Sequence, residues 1–286
     1  MSSGNNVGDQ IQKIKNIFQH AQHTATTEED VNKLIDHLEN ADPEFRSIAY
    51  EGASMGLALK DLSQGGTLHR WRSLMEGPGA AHTTQVHVGL GWALAKQGLP
   101  VSSFLEELNP LLRFRVLDGY GYFDALFKTR QTIQNQRRPE DLQENFFAAY
   151  DQGVGRSIWY SSEGECSKIS EIIAKFESSR QPDLWRGIGI ACSYVGGFEK
   201  TTLDELAVAA SKYRVQLAVG AALAARSRIH ANSLTQDAEL ACSAWCNCSA
   251  EQAINLTIKT EPSFSDNPEG AFKTWISKME FELHLS

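Results

Sequence analysis

Two acidic residues, Glu51 and Asp151, are the first candidates for chemistry because they occupy matching places in two similar stretches. The stretch 49–59 reads AYEGASMGLAL, and the stretch 149–159 reads AYDQGVGRSIW. If the two stretches face each other, the paired carboxylates can serve as a general acid and a general base. The alternative is that each carboxylate bonds only neighbouring backbone or an arginine such as Arg156.

Two histidines form a second candidate group in the densest polar stretch, residues 75–87 (MEGPGAAHTTQVH). Gly-Pro-Gly predicts a turn there, so His82 and His87 lie on either side of the start of the following helix. Histidines five positions apart point to different faces of a regular helix, which disfavours a shared metal ion. We therefore predict no metal site and keep both histidines as catalytic candidates, with capping or hydrogen bonding as the alternative.

The stretch RVLDGYGYFDALF contains Asp118 and Asp124, and of these Asp118 is the candidate because it lies beside the aromatic residues Tyr120 and Tyr122. Asp118 and the two tyrosines could line a pocket with stacking surfaces, or they could simply mark a junction between helices. The remaining ligand-binding candidates lie on glycine-rich or matching segments: Tyr50, Trp92, Tyr150, Arg156, Trp159 and Trp185.

The elements that position these residues are predicted to be helices. Gly-x-Gly pairs begin at residues 89, 119, 153 and 187, with spacings of 30, 34 and 34 residues, which is typical of a helical repeat. Each glycine inside a helix costs about 1 kcal/mol relative to alanine. The pairs therefore indicate either close packing of helix backbones or space cleared for a ligand.

A longer correspondence predicts an internal duplication. Five blocks recur in the same order with offsets of 98 to 100 residues, among them LEEL and LDEL. We expect an all-α protein in which two diverged copies of a multi-helix unit pack as one globular domain. The alternating tail predicts either a short β element or two final helices. The expected divisions are an N-terminal helical extension, two helical units with a linker between them, and a C-terminal tail, at 1–44, 45–130, 131–145, 146–230 and 231–286.

Composition excludes several classes of function. The net charge of −8 and the pI near 5.5 argue against binding nucleic acid, which needs a basic surface. No run is long and apolar enough for a membrane span, and no secretory signal precedes the helices. We therefore expect a cytoplasmic protein in which the five cysteines, three of them in the cluster Cys242, Cys246 and Cys248, are free thiols. A homo-oligomer is possible, and the sequence identifies no cofactor.

Several motifs resemble, in order, the blocks of a bacterial family of unknown function: RSIAYEGASMGLAL, MEGPGAAHTTQVHVGLGWALA, NPLLRFRVLDGYGYFDA, AAYDQGVGRSIW and PDLWRGIGIACSYVGG. Members of this UnbL-type family are often encoded beside enediyne polyketide synthases. The resemblance covers about residues 45–230 and implies a role in specialised metabolism, where the intermediates are long, unsaturated and apolar. The chain departs from the family pattern between the histidines, where Thr83-Thr84-Gln85 replaces an expected aromatic residue.

Three hypotheses about function follow. The first is an accessory enzyme or ligand-shaping protein that holds a polyene-like or isoprenoid-like small hydrophobic molecule between the two units. The second is a non-catalytic helical-repeat module that binds a protein partner. The third is a non-standard prenyl diphosphate cyclase, although the sequence lacks the aspartate-rich motif that usually binds magnesium in such enzymes.

Overall fold

The computed structural model describes residues 6–262 and 270–284, and in these ranges the chain is helical without any strand. The α-helices are α1 (Val7–Thr27), α2 (Val31–Glu39), α3 (Arg46–Ser63), α4 (His69–Ser73), α5 (Thr83–Gln97), α6 (Ser102–Leu105), α7 (Arg113–Phe127), α8 (Phe147–Ser161), α9 (Cys166–Ala174), α10 (Gln181–Val195), α11 (Lys200–Ala210), α12 (Arg214–His230), α13 (Gln236–Cys246), α14 (Ala250–Lys259) and α15 (Ala271–His284). Short 3-10 segments cover Gly77–His82, Glu144–Phe146 and Ser211–Tyr213, and a π turn covers Arg130–Gln134.

Local signals explain where several helices begin and end. Asn6 caps α1 by accepting a hydrogen bond from the backbone N–H of Asp9, and Ser249 forms a reciprocal capping box with Gln252 at α14. At the other end of a helix, Gly98 takes the left-handed conformation that stops α5. The expectation of an all-α protein is thus confirmed for the described residues.

Six long helices (α3, α5, α7, α8, α10 and α12) pack side by side in chain order and form the inner row of the fold. Neighbouring helices in this row run parallel, since the start of one helix lies beside the start of the next and the end lies beside the end. The Phe114 ring at the start of α7 lies 6.0 Å from Phe146, directly before α8, whereas Trp92 late in α5 lies 6.1 Å from Phe127 at the end of α7. The segments between these helices, including α4, α6, α9 and α11, return the chain to the starting end.

The glycine pairs bring the helices of this row into close contact. A Cβ at Gly119 of α7 would overlap the backbone oxygen of Val88 in the preceding helix α5, and a Cβ at Gly121 would overlap that of Tyr150 in the following helix α8. The first glycine of each pair thus faces the preceding helix and the second faces the following one. The same rule holds at Gly89, Gly91, Gly153, Gly155, Gly187 and Gly189.

Other helices cover the two ends of the inner row. Helix α1 packs along α3 and also contacts α10, while α13, α14 and α15 pack against α12. Residues 253–259 of the stretch AINLTIKT lie in α14, and residues 276–284 of the stretch ISKMEFELHL lie in α15, so of the two alternatives for the tail the described residues show helices and no β element. Residues 263–269 of that tail lie outside the described ranges. None of the described helices combines the length and the apolar character that crossing a membrane requires.

Candidate functional site

A cavity of about 690 Å³ lies among α1, α3, α5, α7 and α8, and we call it the Glu51 cavity. Its size is within the range usual for small-molecule sites. Most of the side chains that line it are apolar or aromatic: Ile11, Ile14, Phe18, Ile48, Met55, Trp92, Tyr122, Phe123, Leu126, Phe127 and Tyr160. The charged side chains at the cavity are Lys15, Glu51, Lys96 and Arg156.

The glycine register places four of these side chains in equivalent positions. Met55, Trp92, Tyr122 and Arg156 each lie three residues after the first packing glycine of their own helix, in α3, α5, α7 and α8 respectively. Parallel helices that cross at equivalent glycines turn equivalent faces to the same side of the row. Residues at this offset from the glycine therefore all face the Glu51 cavity. The cavity wall is therefore a direct product of the helical repeat.

A continuous row of aromatic rings forms one side of the cavity. The Phe18 ring lies 5.0 Å from that of Trp92, and Trp92 meets Tyr122 edge-on at 4.8 Å. Tyr122 in turn lies 5.3 Å from Tyr160. Such a surface suits flat, unsaturated or cationic groups, because ring faces attract both by dispersion and through their quadrupole.

Glu51 is the acidic group of this cavity, and its side chain is 4 % exposed. Burial raises the pKa of Glu51 from 4.5 to about 7, and the nearby Asp118 adds to the rise while Arg156 opposes it. The indole N–H of Trp92 lies close enough to favour the carboxylate, although it forms no well-aligned hydrogen bond with an acceptor in the described residues. A carboxyl whose pKa lies near neutrality can both donate and accept a proton.

A chain of buried polar side chains holds Arg156 in place behind the cavity. The guanidinium of Arg156 donates to Asp118, whose other oxygen accepts from Gln152 Nε2 at 2.5 Å. Gln152 Oε1 accepts in turn from Arg186 Nε at 2.7 Å. Asp118, Gln152 and Arg186 each directly precede the first glycine of their helix, so this chain also follows the repeat. Burial alone would lower the pKa of Arg156, but Asp118 and Glu51 together raise it, so the guanidinium stays charged.

The structure therefore brings together five of the residues singled out from the sequence. Glu51, Trp92, Tyr122 and Arg156 line the cavity, and Asp118 binds Arg156 directly. Together they supply an acid–base carboxyl, a fixed cation and an aromatic surface within a largely apolar space.

Asp151 does not share this cavity with Glu51, in contrast to the pairing expected from the matching stretches. Both of its oxygens are held by two arginines: Arg180 Nη2 donates to Oδ1 at 2.5 Å, and Arg138 Nη2 donates to Oδ2 at 2.5 Å. Asp151 is fully buried, and both arginines are largely shielded from water. A carboxylate held in this way is a structural ion pair and has no free oxygen for a ligand.

Tyr50 and His82 meet in a separate cluster and do not line the Glu51 cavity. Their rings stack at 4.2 Å, the hydroxyl of Tyr50 donates to Glu39 Oε1 at 2.8 Å, and His82 Nδ1 lies 2.8 Å from the hydroxyl of Ser47. Burial lowers the pKa of His82 to about 4, so its ring is neutral at pH 7. This cluster joins the start of α3 to the turn before α5.

His87 lies apart from His82, as the five-residue spacing predicts. Its Nδ1 lies 2.7 Å from the backbone oxygen of Thr83, and its ring meets Trp71 edge-on at 5.1 Å. Burial lowers the pKa of His87 to about 4. The two histidines thus have different neighbours and do not form one site.

The other aromatic candidates also lie away from the cavity. Tyr120 donates to the backbone oxygen of Leu99 at 3.3 Å, and Tyr150 donates to Asp124 Oδ2 at 3.0 Å. Trp159 and Trp185 are buried in α8 and α10 without lining the cavity. Their surroundings give all four of these residues packing or hydrogen-bonding roles.

The five cysteines all lie within the described ranges. All five cysteines are free thiols, and Cys242 and Cys246 are buried in α13. Within the part of the chain that the structure describes, no three histidine, cysteine, aspartate or glutamate side chains come together as a metal site requires.

Sequence reasoning missed the contribution of α1, which supplies Ile11, Ile14 and Phe18 to the cavity. Their spacing of three and four residues marks one face of a helix, a signal that predicts burial without showing against what. Met55 and Tyr160 were also missed, although Met55 follows its glycine at the same offset as Trp92.

Comparison with known proteins supports a family assignment. No curated protein and no solved structure matches the chain. One family model matches residues 2–283, and its description is "Protein of unknown function (DUF1702)". This agrees with the expected membership of a family of unknown function, whereas the link to enediyne synthases stays a prediction. Because the match spans nearly the whole chain, the protein belongs to the DUF1702 family.

Proposed function

We propose that this chain is an accessory enzyme or ligand-shaping protein of specialised metabolism that takes a hydrophobic polyene-like or isoprenoid-like intermediate into the Glu51 cavity. The observation that carries the proposal is a buried carboxyl with a pKa of about 7 on the wall of an aromatic, apolar cavity. Buried carboxyls with such pKa values occur preferentially at functional sites.

The chemistry that suits this arrangement is proton transfer within a conjugated molecule. The ionised Glu51 removes a proton from one carbon of the ligand, and the resulting carboxylic acid returns the proton to another carbon, so that a double bond moves and nothing else is consumed. Arg156 is fixed by Asp118 and supports the negative charge that develops on the ligand between the two steps. Glu51 itself is buried, which strengthens electrostatic interactions at this carboxyl.

The proposal includes the two-unit organisation. Helices α3, α5 and α7 belong to the first unit (45–130) and α8 belongs to the second (146–230), so the cavity lies where the units would meet. The offsets of 98 to 100 residues span three steps of the inner row, which is what two copies of a three-helix unit require.

A fluorescent polyene tests the binding step. We expect cis-parinaric acid to gain fluorescence in the presence of the protein and to be displaced by farnesol, an isoprenoid alcohol. Leu126→Trp fills the cavity and should abolish the signal, whereas Val208→Trp, on an exposed surface outside the cavity, should leave it unchanged. Native mass spectrometry of protein from its own host would add the identity of any retained small molecule.

The chemical step has a separate test. In D2O, a ligand that exchanges protons with Glu51 takes up deuterium, and Glu51→Gln should abolish this uptake while the protein still binds the ligand. Binding without uptake in the wild-type protein would reduce the proposal to a ligand-shaping role. Absence of binding for every apolar probe, together with a bare native mass, would reject the proposal.

A second candidate function is a non-catalytic interaction module, and the inner row of parallel helices favours it. Stacked helical repeats commonly use their extended surfaces to bind protein partners. If pull-down from the host recovers a stoichiometric protein partner and no small molecule is retained, the interaction module replaces the ligand-binding enzyme as the proposed function.

A further inference from the structure

A second cavity lies at the starts of α5 and α7, whereas the Glu51 cavity lies along the later parts of these two helices. Charged and polar side chains make up a larger share of the lining of the second cavity. It encloses about 370 Å³ among the starts of α5 and α7, the end of α12, and α14 and α15. The side chains that could bind a ligand there are Arg115, Arg226, Thr83, Thr84 and His230. We call it the Arg115 pocket.

The guanidinium of Arg115 makes no hydrogen bond and no ion pair with any residue in 6–262 or 270–284, although the backbone N–H of Arg115 donates to the backbone oxygen of Leu112 at 2.9 Å. The nearest carboxylate in its electrostatic surroundings, Asp118, is already bound by Arg156 and Gln152. Burial lowers the pKa of Arg115 to about 10, so the side chain stays charged at neutral pH. Arg115 is half-buried at the pocket wall, where a cation without a partner gains from an anion that joins it.

The second arginine of the pocket is oriented by the protein itself. Arg226 Nη2 donates to Glu261 Oε2 at 2.5 Å, and its guanidinium lies 5.1 Å from the ring centre of Trp275. This pairing neutralises Arg226 and fixes its position at the wall. Among the described residues, Arg115 is therefore the pocket arginine whose guanidinium has no carboxylate bound to it.

Further donors come from the start of α5. Thr83 and Thr84 are its first two residues, and no side chain caps this end of the helix. The backbone N–H groups at the start of a 15-residue helix carry a partial positive charge and are suited to oxyanions. A guanidinium, two hydroxyls and a helix start together match the tetrahedral oxygens of phosphate.

We infer that the Arg115 pocket binds a phosphate group, either as the free ion or carried by a small organic molecule. An organic carrier fits the pocket because Ile254, Ile258 and Trp275 form an apolar wall beside the donors. This inference does not depend on the function proposed for the Glu51 cavity.

Titration of the full-length protein with two probes, inorganic phosphate and phenyl phosphate, tests the inference. Isothermal titration calorimetry at low ionic strength, with chloride as the only other anion, should show saturable binding. Tighter binding of phenyl phosphate would assign the site to an organic phosphate, and tighter binding of inorganic phosphate would assign it to the free ion. Arg115→Gln should weaken binding of the better probe by about tenfold or more, because a hydrogen bond to a charged group is lost.

The matched control is Arg137→Gln, which removes an exposed arginine outside the pocket and should leave binding unchanged. If Arg115→Gln fails to fold, Thr84→Val keeps the shape of the side chain, removes one hydroxyl, and should weaken binding several-fold. The inference is overturned if neither probe binds saturably to the wild-type protein. Undiminished binding by folded Arg115→Gln, or by folded Thr84→Val where Arg115→Gln does not fold, overturns it as well.

Discussion

Replacement of Glu51 by glutamine should stabilise the protein, and the gain should depend on pH in a defined way. Glutamine has nearly the same shape as the protonated carboxyl and cannot ionise. The folded chain raises the pKa of Glu51 from 4.5 to about 7 because burial disfavours the charged form. Between these two values the folded chain retains a proton that the unfolded chain releases. The contribution of Glu51 to the free energy of unfolding is therefore fully present below pH 4.5, and it is lost as the pH rises towards 7.

The magnitude follows from the two pKa values. Each unit of difference corresponds to roughly 1.4 kcal/mol, so ionising Glu51 in the folded chain costs about 3 kcal/mol above pH 7. Glu51→Gln avoids this cost. Its free energy of unfolding should match that of the wild-type protein near pH 4.5 and exceed it by about 3 kcal/mol near pH 8.

Urea unfolding of both proteins at a series of pH values measures this difference directly. Other titrating groups contribute equally to both proteins, so subtracting the two curves isolates Glu51. A suitable control is Glu171→Gln, because Glu171 is exposed and Lys175 lowers its pKa. That variant should show a small change of the opposite sign as the pH rises.

The reasoning would be refuted if the difference between Glu51→Gln and the wild-type protein stayed constant across this pH range. A difference that became more unfavourable at high pH would be equally damaging, because it would mean that the folded chain prefers the ionised carboxylate. In either case Glu51 would not titrate near neutrality, and the acid–base role proposed for it would fail as well.

Three further predictions concern the elements that hold the site. Gly153→Ala places a methyl group against a backbone oxygen of the neighbouring helix and should cost at least about 2 kcal/mol in urea unfolding, whereas Gly8→Ala, which meets only the side-chain oxygens of Asn6 and Glu163, should cost much less. Asp151→Asn leaves the buried Arg180 and the half-buried Arg138 without their carboxylate and should cost about 3 to 5 kcal/mol, with binding of cis-parinaric acid by the folded fraction unchanged. Burial lowers the pKa of His87 from 6.5 to about 4, so the wild-type protein should lose about 3 kcal/mol as the pH falls through this interval, and His87→Gln should remove that part of the acid sensitivity in the same assay.

The helical class and the repeat could be predicted because they depend on local properties of the chain. Helix ends such as Gly98 and the spacing of Gly89, Gly119 and Gly153 are visible in the sequence itself. The reason for that spacing is steric: only glycine lets a neighbouring backbone approach so closely. Since the same spacing orients the residues that follow each glycine, part of the candidate site could also be found in advance.

Pairing of distant residues could not be predicted in this way. Glu51 and Asp151 occupy similar stretches, yet of the two only Asp151 forms ion pairs with arginines among the described residues, and these arginines come from the segment after α7 and from the residue directly before α10. A matching place in two stretches determines which face a residue occupies, but it does not determine which side chains arrive from elsewhere. The same limit explains why Tyr50 and His82 join a cluster of their own.

The sequence by itself thus determined the all-helical class of the described residues and the register of the glycine pairs, both of which follow from helical periodicity and the size of glycine. Only the tertiary structure decided that Trp92, Tyr122 and Arg156 meet at one cavity, that α1 contributes to its wall, and that the Glu51 carboxyl titrates near pH 7. The physical reason is that desolvation and charge pairing are sums over neighbours from several helices. Those neighbours are set by how the whole chain packs.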